Sequence, residues 1–142
     1  MLIGQGFAYR SIRNNGTIGG NLVHADPAGD WPTAIRALGG VAVIVGIEGV
    51  RNVSLSNFQL GLMETCLGET DILQGVLLPQ LSAGARWGYT NSCHKVGEFA
   101  HSIGAVVLDP RIGLANAARR CGGQACGAAR RLVSARGGHE PE

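Results

Sequence analysis

Ile12-Arg13-Asn14-Asn15-Gly16-Thr17-Ile18-Gly19-Gly20-Asn21-Leu22, followed two residues later by Ala25-Asp26-Pro27-Ala28-Gly29-Asp30, is the stretch on which the reading of this chain turns. Residues 17–30 are dense in Gly, Asn and Asp and show neither helical nor strand periodicity, so they read as a compact irregular loop. Gly19-Gly20 lets backbone approach a ligand with no Cβ in the way. Successive N–H groups in such a turn can form a nest for an anion such as a pyrophosphate. Thr17 and Asn21 add side-chain hydrogen bonds, and Asp30 offers a carboxylate to the hydroxyls of a ribose or ribityl chain. A dinucleotide site needs these parts, although the same residues also suit a plain turn. The stretch is not the fingerprint of the doubly wound dinucleotide fold, which places GxGxxG between a strand and a helix. Nor is it a phosphate loop, since no Gly-Lys-Ser/Thr occurs.

Outward from this stretch the elements follow in order. Asp30 reads as a helix N-cap, Pro32 suits the first turn, Ile35 and Leu38 supply an apolar face, and Gly39-Gly40 stops the helix. Residues 41–45 are a continuous β-branched run and predict a buried strand. A hairpin turn at 46–49 leads to a second strand through Val50, Val53 and Leu55. Residues 56–61 read as a short helix or turn. Further strands are expected over 71–78, 84–89 and 102–108. Beyond residue 110 the pattern weakens, and a poorly ordered tail is expected after about residue 118.

The chain has 142 residues, 45% of them hydrophobic, which is enough for one domain with a core. A net charge of +2 is too weak to argue for nucleic acid. Arginines crowd the last third, from Arg111 to Arg136, but no aromatic platform or recognised motif accompanies them. No apolar run approaches the ~20 residues of a membrane helix, and no signal peptide is evident, so the cytoplasm is the expected location. Cys66, Cys93, Cys121 and Cys126 match neither a zinc frame nor a disulfide scaffold and read as free thiols. His24 with Asp26, and His94 with Glu98 and His101, are the candidates for metal or hydrolytic chemistry. Gly97 argues against the helix that a Glu98–His101 ligand pair needs. Trp31 and Trp87 read as packing anchors.

The quoted stretch closely resembles a signature of the FAD-binding subunits of molybdenum hydroxylases, a group that includes the medium subunit of carbon monoxide dehydrogenase and the flavin domain of xanthine dehydrogenase. The pattern runs roughly I-R-N-x-G-T-I-G-G-N-L and then A-D-P-A-x-D, and residues 12–30 match it almost throughout. The likeness continues with falling quality through Arg51-Asn52-Val53, Asn57-Phe58-Gln59-Leu60-Gly61, the segment 69–79 and His94-Lys95-Val96-Gly97-Glu98-Phe99-Ala100.

The resemblance implies an α+β fold: the C-terminal lobe of a vanillyl-alcohol-oxidase-type (PCMH-type) FAD-binding domain, plus the start of a small α/β C-terminal domain. It divides the chain into 1–83, 84–118 and an Arg/Gly-rich tail at 119–142. Thr17, Ile18, Gly19, Gly20, Asn21, His24 and Asp30 are then the cofactor-binding residues, the cofactor is FAD, and no side chain need act as nucleophile or base. The implied function is electron transfer, with a molybdopterin-containing large subunit and a 2Fe-2S small subunit as partners. Two departures stand out. The family's first glycine-rich loop, small-Gly-Gly-x-Ser, has no counterpart here, and only eleven residues precede Ile12. A lysine that some members place near the flavin falls at Thr90 or Asn91. The expectation is therefore an N-terminally truncated chain, with a remnant unable to hold FAD alone as the alternative.

Overall fold

A computed structural model describes residues 9–95 and 98–121. Three short helices come first: α1 (Arg10–Asn15), α2 (Ile18–His24) and α3 (Asp30–Ala37). Next are β1 (Val41–Gly46), β2 (Gly49–Ser54), the single turn α4 (Leu55–Phe58), β3 (Gln59–Gly61) and β4 (Glu64–Thr65). The chain continues through β5 (Ile72–Leu77), β6 (Arg86–Ser92), β7 (Ser102–Asp109) and β8 (Leu114–Cys121). The strands form antiparallel sheets ordered β2-β1-β5, β3-β4 and β6-β7-β8. The architecture is mixed α/β. Among the described residues no helix is long and apolar enough to cross a membrane.

Residues 17–30 are not the irregular loop expected. They fold as α2, a tight turn and the first residue of α3. Thr17 caps α2, its Oγ1 accepting the Gly20 N–H at 3.0 Å. Two interior glycines cost a helix roughly 0.5–1 kcal/mol each. The cap contributes about 1 kcal/mol, and full burial of Leu22 contributes roughly 1.5–3 kcal/mol. Tertiary packing therefore overrides the local signal. Asp30 is likewise not the N-cap: Gly29 holds that place and Asp30 is the first helical residue.

Every residue of α3 from Pro32 to Ala37 is buried. A helix buried all round must be packed on more than one side, and α3 lies between two sheets. Ile35 joins Leu22, Ala42, Ile44, Leu55 and Phe58 in one core, on the β2-β1-β5 sheet. Ala37 joins Ala105, Val107 and Ala118 in the other, on the β6-β7-β8 sheet. The small alanines let helix and sheet approach closely. Gly39, at φ +72°, ends the helix as expected. Its N–H reaches Arg36 O at 3.0 Å and the Gly40 N–H reaches Ile35 O at 3.0 Å, the paired bonds of a Schellman stop.

The β1–β2 hairpin turns through two residues, with Gly46 opposite Gly49. β7 alternates as expected of a half-buried strand, with Ile103, Ala105, Val107 and Asp109 inside. β8 was not anticipated: Leu-Ala-Asn-Ala-Ala-Arg-Arg-Cys lacks β-branched and aromatic residues, and its pairing with β7 supplies what propensity does not. Of the expected tail at 119–142, residues 122–142 lie outside the described residues.

Asp109 ties the β6-β7-β8 sheet to the segment leading into it. It accepts from the Ser82 N–H at 2.6 Å, the Ser82 hydroxyl at 2.7 Å and the Arg111 N–H at 3.1 Å. The Ser82 backbone bond, and then its hydroxyl, hold this carboxyl below the usual aspartate range. A carboxyl depressed in the folded state stabilises above its unfolded value of about 3.9, and that stability is lost as pH falls through the folded value. We expect the urea midpoint to fall on acidification below about pH 4, and Asp109→Asn to flatten that limb. An unchanged acid limb in the variant would show that Asp109 does not set it.

Candidate functional site

Counting from the cap of α2, Thr17, Gly20, Asn21 and His24 stand at i, i+3, i+4 and i+7, so they lie toward one face. Together with Ile12 and Trp31 that face lines a groove of about 390 Å³. Ile18 and Gly19, also expected at the site, fall outside the lining of this groove, and Ile18 is exposed. Trp31 is the packing anchor expected, since it also lies against the first core.

A second cleft, of about 510 Å³, adjoins the first and shares Ile12 and Asn21 with it. One wall is Ala28, Gly29 and Asp30 at the start of α3. The other is His94, Glu98, Phe99 and His101, which follow β6 in the chain. Residues ~70 apart in sequence are thus brought face to face by the packing of α3 on the β6-β7-β8 sheet. The two histidine rings meet edge to face with centroids 4.6 Å apart, and the His101 N–H donates to Ser92 O at 2.8 Å. Residues 94–95 and 98–101 are not helical, Gly97 lies outside the described residues, and no group of three metal-ligating side chains occurs among the described residues.

Asp30 is gripped from β6 of the β6-β7-β8 sheet. The Tyr89 hydroxyl donates to Asp30 Oδ1, and Asn91 Nδ2 donates to the same oxygen at 3.3 Å. Burial, and then the hydrogen bond to Asp30, push the Tyr89 phenol far above its ordinary range, so it stays a protonated donor. Asn91 occupies one of the two positions noted above for a lysine; here it is a neutral partner of the same carboxylate. Sequence reasoning missed Tyr89 altogether, since nothing local marks it as a partner of a residue 59 positions away.

Asn21 is the other informative side chain. Its Oδ1 is buried and accepts no hydrogen bond, an arrangement that costs about 1–3 kcal/mol unless a partner arrives. Gly29 makes room for it: a Cβ there would lie 2.8 Å from Asn21 Oδ1 and 3.1 Å from Asp26 O. The Asp26 carboxylate steadies the turn by accepting the Ala28 N–H at 2.7 Å.

Residues 4–81 match a family described as the FAD binding domain in molybdopterin dehydrogenase. The chain belongs to this family. Its cofactor is FAD. The nicotine 6-hydroxylase medium subunit of Paenarthrobacter nicotinovorans is 34% identical over 105 residues, covering 74% of this chain and 36% of the relative. The carbon monoxide dehydrogenase medium chain of Hydrogenophaga pseudoflava is 34% identical over 97 residues, covering 68% of this chain and 34% of the relative. A solved structure of carbon monoxide dehydrogenase from that organism, lacking the Mo-pyranopterin moiety of its molybdenum cofactor, aligns with a TM-score of 0.75 and 32% identity. That alignment covers 82% of this chain and 42% of the matched chain. The chain spans about a third of the length of the curated relatives it matches.

The residues present fit FAD on structural grounds. The unpaired, buried Asn21 Oδ1 wants a donor, and the Asp30 carboxylate lines the same cleft. Both complement a ligand rich in hydroxyl and N–H groups.

Proposed function

We propose that the chain is the FAD-holding, electron-transfer part of a molybdenum hydroxylase or dehydrogenase. In this reading a molybdopterin-containing large subunit and a 2Fe-2S small subunit are its partners, in the cytoplasm. The observation that carries it is the unpaired, buried Asn21 acceptor beside Asp30, in a cleft walled by residues from both halves of a chain of this family. Carbon monoxide dehydrogenase and nicotine 6-hydroxylase medium subunits among the relatives support the complex.

When bound, FAD supplies the redox chemistry, taking electrons from the iron–sulfur partner and passing them to an acceptor. The chain's own residues bind and orient. Asp30 accepts from cofactor hydroxyls while Tyr89 and Asn91 hold it in place. Asn21 accepts through its unpaired oxygen. Thr17, Gly20 and His24 line the groove beyond. Ile18 and Gly19 form the first turn of α2 and lie off the groove lining. No residue is assigned a role as nucleophile or base. Residues 1–83 are read as part of a PCMH-type FAD domain and 84–118 as the start of its small C-terminal domain.

Visible absorbance of the purified chain after incubation with FAD and desalting tests the proposal. Retained flavin bands are expected. A flavin-free eluate that stays so when the partner subunits are supplied would favour the alternative of a remnant without cofactor.

A further inference from the structure

Arg120, on β8, is buried at 4% exposure, and the binding and orienting roles assigned above give it no task. Its guanidinium reaches from the β6-β7-β8 sheet to the turn between α2 and α3. Nη1 donates to the main-chain oxygen of Asp26 at 3.3 Å, and Nη2 donates to the side-chain oxygen of Gln59 on β3. The same Asp26 oxygen accepts the Gly29 N–H at 3.0 Å, while the Asp26 carboxylate accepts the Ala28 N–H at 2.7 Å. Ala28, Gly29 and Asp30 form one wall of the larger cleft. Arg120 thus fastens, through one peptide oxygen, the turn that carries that wall.

The turn is under strain. Ala25, which opens it, is a non-glycine residue at φ +54°, in the left-handed region. An L side chain there stores backbone strain that persists only where surrounding contacts fix it. Two elements distant in sequence supply such contacts. The Met63 N–H, between β3 and β4, donates to Ala25 O at 3.3 Å, and Arg120 donates to Asp26 O. A buried guanidinium is costly to keep. Burial, and then the nearness of Arg36, loosens its hold on the proton, while the Asp26 carboxylate works the other way. An apolar side chain of similar length would fill the same place without that cost, so what the arginine adds is its forked donors. One planar group serves the turn and β3 at once.

We propose that Arg120 is a positioning residue for FAD: by holding Asp26 O from β8, it sets the turn at 25–29 and with it the spacing between Asn21 and the Gly29–Asp30 wall. That spacing is tight, since a Cβ on Gly29 would lie 2.8 Å from Asn21 Oδ1. Arg120 itself does not line the cleft, so it acts through the turn and not on the cofactor. The inference rests on the reading of this cleft as the flavin site. It gives the β6-β7-β8 sheet a second hold on the cleft, apart from Tyr89 and Asn91, which reach Asp30 directly.

The test is FAD titrated into the full chain at a temperature well below melting, with thermal melting of each variant alongside. Arg120→Met is expected to bind FAD roughly tenfold more weakly, the order of one hydrogen bond from a charged donor. Gln59→Leu removes the other partner of Arg120 and leaves the bond to the turn, so it is expected to melt lower with its FAD affinity unchanged. Arg120→Lys, which keeps the charge and one donor, is expected to recover most of the affinity. Hydrogen exchange of the unaltered chain depends on no variant folding. FAD is expected to slow exchange at residues 26–30 and in β8 together, since coupling between two sites is reciprocal. Equal affinity in Arg120→Met, an equal loss in Gln59→Leu, or protection of 26–30 without β8 would each overturn the role of Arg120 and leave the flavin reading in place. Absence of FAD binding by the unaltered chain would overturn both.

Discussion

Asp30→Ala is expected to weaken FAD binding by roughly 10- to 100-fold, the worth of a charged hydrogen bond of about 1.5–3 kcal/mol. The carboxylate lines the cleft and is the acceptor of both Tyr89 and Asn91. Alanine removes the group that meets the cofactor and also strands the half-buried Tyr89 hydroxyl. Tyr89→Phe separates the two effects. It leaves the carboxylate in the cleft and removes only its tether, so FAD affinity should fall less than in Asp30→Ala. Fluorescence quenching of FAD titrated with each variant measures both. Equal affinity in Asp30→Ala and the unaltered chain would remove Asp30 from the site.

Substitution at the two adjacent glycines of α2 is expected to give opposite results. Gly20 lies on the groove face, and a Cβ there would sit 3.0 Å from Thr17 Oγ1, the oxygen that caps the helix. Gly20→Val crowds the cap and fills the groove. Overpacking of about 1–3 kcal/mol is expected, with flavin retention lost after desalting. At Gly19 a Cβ would meet nothing within 4 Å, and the residue is absent from the groove lining. Gly19→Ala should therefore stabilise the chain by roughly 0.5–1 kcal/mol through helix propensity and leave flavin retention in place. Melting temperature and retained absorbance for the pair decide the matter. Loss of flavin in Gly19→Ala would mean that the backbone of the first turn, not the groove face, touches the cofactor.

Much of the fold was legible. The run at 41–45, the hairpin turn at 46–49, the Gly39-Gly40 stop and the strand at 102–108 are local patterns, and the structure has each of them. Two of the misread regions have a common cause. Residues 17–30 carry glycines that argue against a helix, and β8 carries alanines and arginines that argue against a strand. In both, the deciding energy comes from partners distant in sequence: the core around Leu22, and the pairing of β8 with β7.

The candidate site divides the same way. By itself the sequence determined the family, the FAD chemistry and the candidate residues Thr17 to Asp30, because a signature of glycines, amides and carboxylates is contiguous. Tertiary structure alone decided which of them lie together. Helical winding selected Thr17, Gly20, Asn21 and His24 for one face and left Ile18 and Gly19 off it. The packing of α3 between two sheets brought Tyr89, Asn91 and Phe99 to Asp30. It also buried Arg36 and Arg120 against one corner, although as isolated letters both read as surface charge. Contacts across such separations depend on how helices and sheets close over a shared core, and no local pattern of side chains encodes that closure.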